Sequence, residues 1–177
     1  MTTALLVIDV QAGLFDGDKR PGDASAVIGR INALAERARA ARVAVIYVQH
    51  ERDGSPLVHG SPGWALAREL QPAALDVRLR KTTPDSFLHT RLEPLLQEHD
   101  VKHLVICGYA SEYCVDTTTR RAAALGYQVT LVADGHTTHD KPHASAELIR
   151  AHENATLPNL TSFGPEIRAL PAETIQF

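Results

Sequence analysis

The feature that most constrains this chain is an alternation. Short runs of β-branched and apolar residues are separated by longer segments with helical spacing. Ala4 to Val10, Val43 to Gln49, Leu104 to Gly108 and Val129 to Ala133 are nearly free of polar residues, as strands buried on both faces are. Between the first two, Val27, Ile28, Ile31, Leu34, Ala35 and Ala38 recur at helical spacing, which makes a β-α-β unit. Between the last two, Ser111 is placed to cap a helix that carries Val115, Thr118, Ala122 and Leu125. That helix stops at Gly126, where a left-handed residue is easiest for glycine. Val77 to Lys81 adds a further strand-like alternation. Repeated units of this kind, joined by right-handed crossovers, predict an α/β fold: a parallel sheet with helices on both faces. After Asn154, Leu157, Leu160 and Phe163 suggest a final edge strand, with a short helix over residues 165–170.

The 177 residues, 44% hydrophobic and 22% charged, suit a single domain over 1–177 with a sizeable core. Eighteen Lys and Arg against 21 Asp and Glu give a net charge of -3 with no blocks of one sign, so neither nucleic acid nor an anionic membrane is an expected partner. A small molecule is. The two cysteines, Cys107 and Cys114, are too few for a disulfide scaffold and predict free thiols in a reducing compartment. The opening MTTALLVIDVQ has no basic region, long apolar stretch or cleavage site, so a cytoplasmic location is expected. The sequons at Asn154 and Asn159 are then expected to stay unmodified. The glycine- and proline-rich stretch from Glu51 to Gly63 reads as a long loop that lines or covers a site.

In doubly wound sheets, ligands bind beyond the carboxyl ends of the strands where strand order reverses, so chemistry is sought at strand ends. Asp9 follows the apolar run Leu5 to Ile8; alone it reads equally as a turn acid. In LVICGYASEYCV, a strand runs into Gly108 and Cys114 falls in the first turn of the helix begun at Ser111. Unpaired N–H groups and the helix dipole there bias a thiol toward thiolate, and the same N–H groups suit an oxyanion. Cys107, inside a strand, reads as a packing residue. Lys81 ends an alternation and precedes a turn; by itself it reads as a solvated lysine beside Arg78 and Arg80. His136, His139, Asp140 and His143 follow the strand at Val129 on what reads as a loop, better suited to rim a pocket than to bind a metal. His50 and His59, around the long loop, form a second pair.

Asp9 in LLVIDVQ, Lys81 in RKTTPDSFLHTRLEPLL and Cys114 in GYASEYCVDTT, taken in order, together resemble the isochorismatase-like cysteine hydrolase family. DGHTTHD and the Ala and Asn of HENA extend the resemblance to about residue 154. It implies a three-layer α/β/α fold around a six-stranded, mostly parallel sheet of order 3-2-1-4-5-6. It also implies a catalytic triad on Asp9, Lys81 and Cys114, and a cis peptide between Tyr109 and Ala110 that sets the Ala110 and Cys114 N–H groups as an oxyanion hole. If Lys81 ends a strand two places from Asp9, the segment after it is expected to bend back. Relatives known as nicotinamidases carry an Asp-x-His metal site after the second strand. This chain reads Gln49-His50-Glu51 there, so no metal and no cofactor are expected.

The implied reaction is hydrolysis of a small-molecule amide C–N bond through a thioester. The nearest form of the cysteine motif is that of small hydrolases of the streptothricin-hydrolase kind. Phe15, His50, Trp64, Tyr109 and His136 are the expected substrate-binding residues. A homodimer or larger homo-oligomer is implied as well. The competing readings are a vinyl-ether or ester hydrolase of the same family, and a non-catalytic binding module with Cys114 as a redox-sensing thiol.

Overall fold

The computed structural model describes residues 2–177. Its strands are β1 (Thr3–Ile8), β2 (Ala44–His50), β3 (Val77–Lys81), β4 (His103–Tyr109), β5 (Gln128–Thr137) and β6 (Ile167–Leu170). They form one all-parallel sheet in the order β3-β2-β1-β4-β5-β6. The helices are α1 (Ala12–Phe15), α2 (Ala24–Ala40), α3 (Leu92–Glu98), α4 (Asp116–Ala124) and α5 (Ala146–Thr156). None of the described helices is long and apolar enough to cross a membrane.

The unbroken apolar run of β1 follows from burial on both faces, with Ala4 to Ile8 no more than 1% exposed. Leu5 and Val7 join a core with the apolar stripe of α2, from Val27 to Ala38. Leu6 and Ile8 point the other way, into a core with Leu92 and Leu96 of α3 and Ala122 and Ala123 of α4. From β1 the order runs outward in opposite directions to β2 and β4, which opens a crevice at the carboxyl end of the central strands. Gly108, near the end of β4, sets how tightly that crevice closes. Its φ is +119°, and a Cβ there would lie 2.1 Å from the Ile8 carbonyl oxygen. Only glycine allows both the angle and the approach, which brings the segments after β1 and β4 side by side.

Four local expectations change. The edge strand is Ile167–Leu170, within the stretch expected as a short helix, and it pairs with Val129–Val132 of β5. Leu157–Asn159 and Thr161–Phe163, expected as strand, form 3-10 turns: Pro158 has no N–H to give a ladder and Gly164 turns the chain with φ +97°. His136 lies inside β5 rather than on a loop. The partners of β5 step from Ile106↔Leu131 to Gly108↔His136, a bulge that lengthens the strand beyond its apolar stretch. Ser111 does not cap a helix. It opens a π-helical turn, Ser111–Val115, from which α4 continues, and its hydroxyl is used elsewhere.

Candidate active site

Asp9 is the first residue past β1 and Cys114 lies in the π-helical turn past β4, so adjacent strands deliver a carboxylate and a thiol to one crevice. Asp9 takes the left-handed conformation, with φ 52°, which turns the chain out of the sheet. Lys81 is the last residue of β3, two strands away, in register with His50 of β2. The segment after it bends back as expected, with the Ser86 N–H donating to Thr118 Oγ1 of α4. The Lys81 side chain reaches past β2, and Nζ lies 2.7 Å from Asp9 Oδ2 and 3.3 Å from Cys114 Sγ. The same ammonium reaches His50 Nδ1 and the Thr83 carbonyl oxygen, each at 3.1 Å. Asp9 and Lys81 are each 2% exposed, and Asp9 Oδ1 is buried with no hydrogen-bond partner among the described residues.

Electrostatics revise one expectation. Instead of a thiolate, the Cys114 thiol is pushed up to about 12, by burial first and by the Asp9 carboxylate second; Lys81 opposes both without overcoming them. At neutral pH the resting sulfur carries its proton. His50 is lowered, by burial first and then by the Lys81 ammonium, so its ring is neutral. Because Lys81 donates to Nδ1, the ring proton sits on Nε2. Cys107 is fully buried and its thiol is raised by burial alone, in keeping with a packing role.

Two glutamines that sequence reasoning passed over organise the rim. The Gln11 amide donates to the carbonyl oxygens of His50 and Trp64 and accepts from the His50 N–H, all at 2.9 Å. Gln49 donates to the same Trp64 carbonyl oxygen at 2.9 Å. The loop after β2 is thus clasped over the site, and Gly63 meets α1 closely enough to accept from the Gly13 N–H. Gln11 stood in the quoted LLVIDVQ run, but an amide at a strand end carries no signal of what it will hold. Gln49 uses its amide nitrogen as a donor, which a metal ligand does not.

The expected substrate-binding residues divide. His50 touches the Lys81 ammonium, and Trp64 lies in the clasped loop, its ring edge-on to His59 at 4.7 Å and its Nε1 without a partner among the described residues. Tyr109 packs edge-on against Phe15 at 5.7 Å and its hydroxyl meets His139 Nδ1 at 2.9 Å. Phe15 is 0% exposed, and so is His136. His136, expected at the pocket rim, has both ring nitrogens engaged inside the protein: Nδ1 with Ser111 Oγ at 2.8 Å and Nε2 with Asn154 Oδ1 at 3.0 Å. Asn154 in turn donates to the Ala133 carbonyl oxygen, so His136 Nε2–H is the donor and Nδ1 accepts from Ser111. His136 pins the turn that carries Cys114. The peptide between Tyr109 and Ala110 is cis, and the Ala110 carbonyl oxygen accepts from the N–H groups of Tyr113 and Val115.

Among the described residues, one group of three or more potential metal ligands comes together: Asp9, His50 and Cys114, whose donor atoms all lie within 4.8 Å of one another. The ring nitrogens of His139 are taken by Tyr109 and the Lys19 carbonyl oxygen, and those of His136 as above. A cavity of about 420 Å³ between Glu112, Tyr113, Lys141 and α5 is lined by none of the triad residues, and a cleft lined by Glu51, Arg52, His59 and Thr82 adjoins His50 and Lys81 in the chain.

Known proteins share this architecture. The chain is 39% identical over 144 residues to a streptothricin hydrolase of Streptomyces noursei, a match covering 80% of this chain and 51% of that protein. It spans about half the length of the first curated relatives it matches. It is 30% identical over 200 residues to ureidoacrylate amidohydrolase RutB of Caulobacter segnis, covering 92% of this chain and 80% of that one. A crystal structure described as an isochorismatase family protein superposes with a TM-score of 0.85 at 33% identity, over 95% of this chain and 97% of that chain. Residues 3–161 match the isochorismatase domain, and this chain belongs to the isochorismatase family.

Proposed function

We propose that the protein is a cysteine amidohydrolase that cleaves a C–N bond of a small molecule through a thioester. The observation that carries this reading is the buried Lys81 ammonium joined at once to Asp9 and Cys114. Relatives described as a streptothricin hydrolase and a ureidoacrylate amidohydrolase support the amide bond as the target.

A thiol raised to about 12 would cost about 7 kcal/mol to ionise at pH 7 before anything else happened. Proton transfer therefore accompanies attack. Asp9 takes the thiol proton as sulfur adds to the amide carbonyl carbon, and the Ala110 and Cys114 N–H groups hold the developing oxyanion. When the tetrahedral intermediate collapses, the C–N bond breaks and Asp9 returns the proton to the leaving nitrogen. Asp9 then draws a proton from water, whose oxygen attacks the thioester, releasing the acid and the thiol. Lys81 stabilises the negative charge that moves between carboxylate and sulfur. His50, Trp64 and Tyr109 contact the substrate; Phe15 and His136 hold the elements that do so.

A homodimer or larger assembly is part of the proposal, supported by Tyr113 and Leu148, 55% and 59% exposed at the mouth of the large cavity. Sedimentation velocity checks it. The function is tested by ammonia release from a panel of small primary amides and ureido compounds, wild type against Cys114→Ala. Ammonia from the wild type that vanishes in the variant is expected. Turnover of esters or vinyl ethers alone, or no turnover with reversible oxidation of Cys114, would replace the amidase reading with one of its rivals.

A further inference from the structure

Lys81 Nζ has four acceptors within 3.3 Å: Asp9 Oδ2, His50 Nδ1, the Thr83 carbonyl oxygen and Cys114 Sγ. An ammonium has three protons to give, so the surroundings offer more than a lysine can use. A carboxylate, an imidazole and a thiol converging on one cation form a donor set suited to zinc or cobalt. In a four-coordinate site with bonds of about 2.0–2.3 Å the donors stand about 3.3–3.8 Å apart. Here the three side-chain donors are already within 4.8 Å of one another, so an inward shift of about 1 Å or less closes the sphere. The second oxygen of Asp9 is buried and unpartnered, so the carboxylate has capacity left for a cation.

We infer that Asp9, His50 and Cys114 form a binding site for one thiophilic divalent cation, and that the wild-type chain excludes the ion by keeping Lys81 Nζ in its place. Exchanging Lys81 for a short residue opens the site. The metal then binds Cys114 as thiolate, the thiol proton leaves to solvent, and charge balance is restored by the ion in place of the ammonium. The site shares only His50 with the Gln49-His50-Glu51 stretch, where the Gln49 amide is engaged as a donor, and takes its other two donors from Asp9 and Cys114. It stands on donor geometry alone, independent of the hydrolytic reading.

Titration with Co²⁺, followed by thiolate-to-cobalt charge-transfer absorption and the visible bands of four-coordinate cobalt, tests it. Lys81→Ala is expected to bind one Co²⁺ about 100-fold more tightly than the wild type or better, since tethered occupancy by Nζ is lost. Adding Cys114→Ser removes the charge-transfer band, and adding His50→Ala weakens binding about tenfold or more. Equal affinity in wild type and Lys81→Ala, or binding that survives Cys114→Ser, overturns the inference. Circular dichroism establishes that the variants fold. Should Lys81→Ala not fold, Lys81→Ser takes its place in the same Co²⁺ titration, and an affinity equal to that of the wild type overturns the inference equally.

Discussion

At the scale of single residues, Cys114 is held protonated by burial first and then by the same acid that is proposed to activate it. Its thiol, at about 12, should react with iodoacetamide near pH 8 about a thousandfold more slowly than a free cysteine, and gain rate steadily up to strongly alkaline pH. Peptide mass spectrometry of alkylated Cys114 measures this; a rate that levels off near pH 8.5 counts against it. Asp9→Asn separates the two roles of the acid. Losing the carboxylate charge lowers the thiol pKa, so alkylation should speed up, while amide hydrolysis should fall about 10²–10⁴-fold. Lys81→Ala should slow both, because the ammonium is the group favouring the anion. Parallel alkylation and hydrolysis assays on the two variants give this pattern of signs or refute it. Strand ends marked Asp9 and Cys114 as candidates and the resemblance joined them to Lys81, but the charge state of the sulfur was not legible. A first-turn dipole is a local cue, whereas burial and a carboxylate from another strand are set by tertiary packing.

At the scale of elements, the nucleophile turn depends on two devices that leave little trace in a hydropathy pattern. The first is the close approach at Gly108. Gly108→Ala should destabilise the protein by about 3 kcal/mol or more, since a Cβ would strike the Ile8 carbonyl and the positive φ would be strained. Urea denaturation measures the loss. The second is His136, held near a pKa of about 4 chiefly by burial. The unfolded ring titrates near 6.5, so between these values the unfolded chain binds more protons and stability falls as pH drops. The full loss is about 3 kcal/mol. In His136→Gln that contribution is gone, so the stability gap between wild type and variant should shrink between pH 6.5 and 4; a constant gap would show that His136 is not the titrating group. The histidine was visible in DGHTTHD, yet its burial was hidden because the bulge in β5 carries the strand past its apolar stretch. The misplaced edge strand has a similar origin: the apolar residues Leu157, Leu160 and Phe163 drew attention away from the shorter IRAL run that pairs with β5.

At the scale of the whole molecule, the fold class was readable because buried parallel strands alternate with helices so regularly, while the strand order and the meeting of Asp9, Lys81 and Cys114 came from the resemblance to a known family. The reach of one lysine and one glutamine across four strand ends left no local pattern. Lys81 spans from β3 to the segments after β1 and β4, and Gln11 ties the end of β1 to β2 and to the loop beyond it. Gln11→Ala should leave the His50 N–H and carbonyl without partners, at about 1–3 kcal/mol each where water cannot replace the amide. The released loop should also become the first site of limited proteolysis, within residues 51–76. A digestion pattern identical to the wild type would show that the clasp does not hold the loop. Because that clasp grips a main-chain oxygen at Trp64 instead of a particular side chain, it tolerates rewriting of the segment around it. A graft from a relative that keeps one carbonyl at that spot should seat on this scaffold, so new substrate preferences can be installed while the sheet below remains untouched.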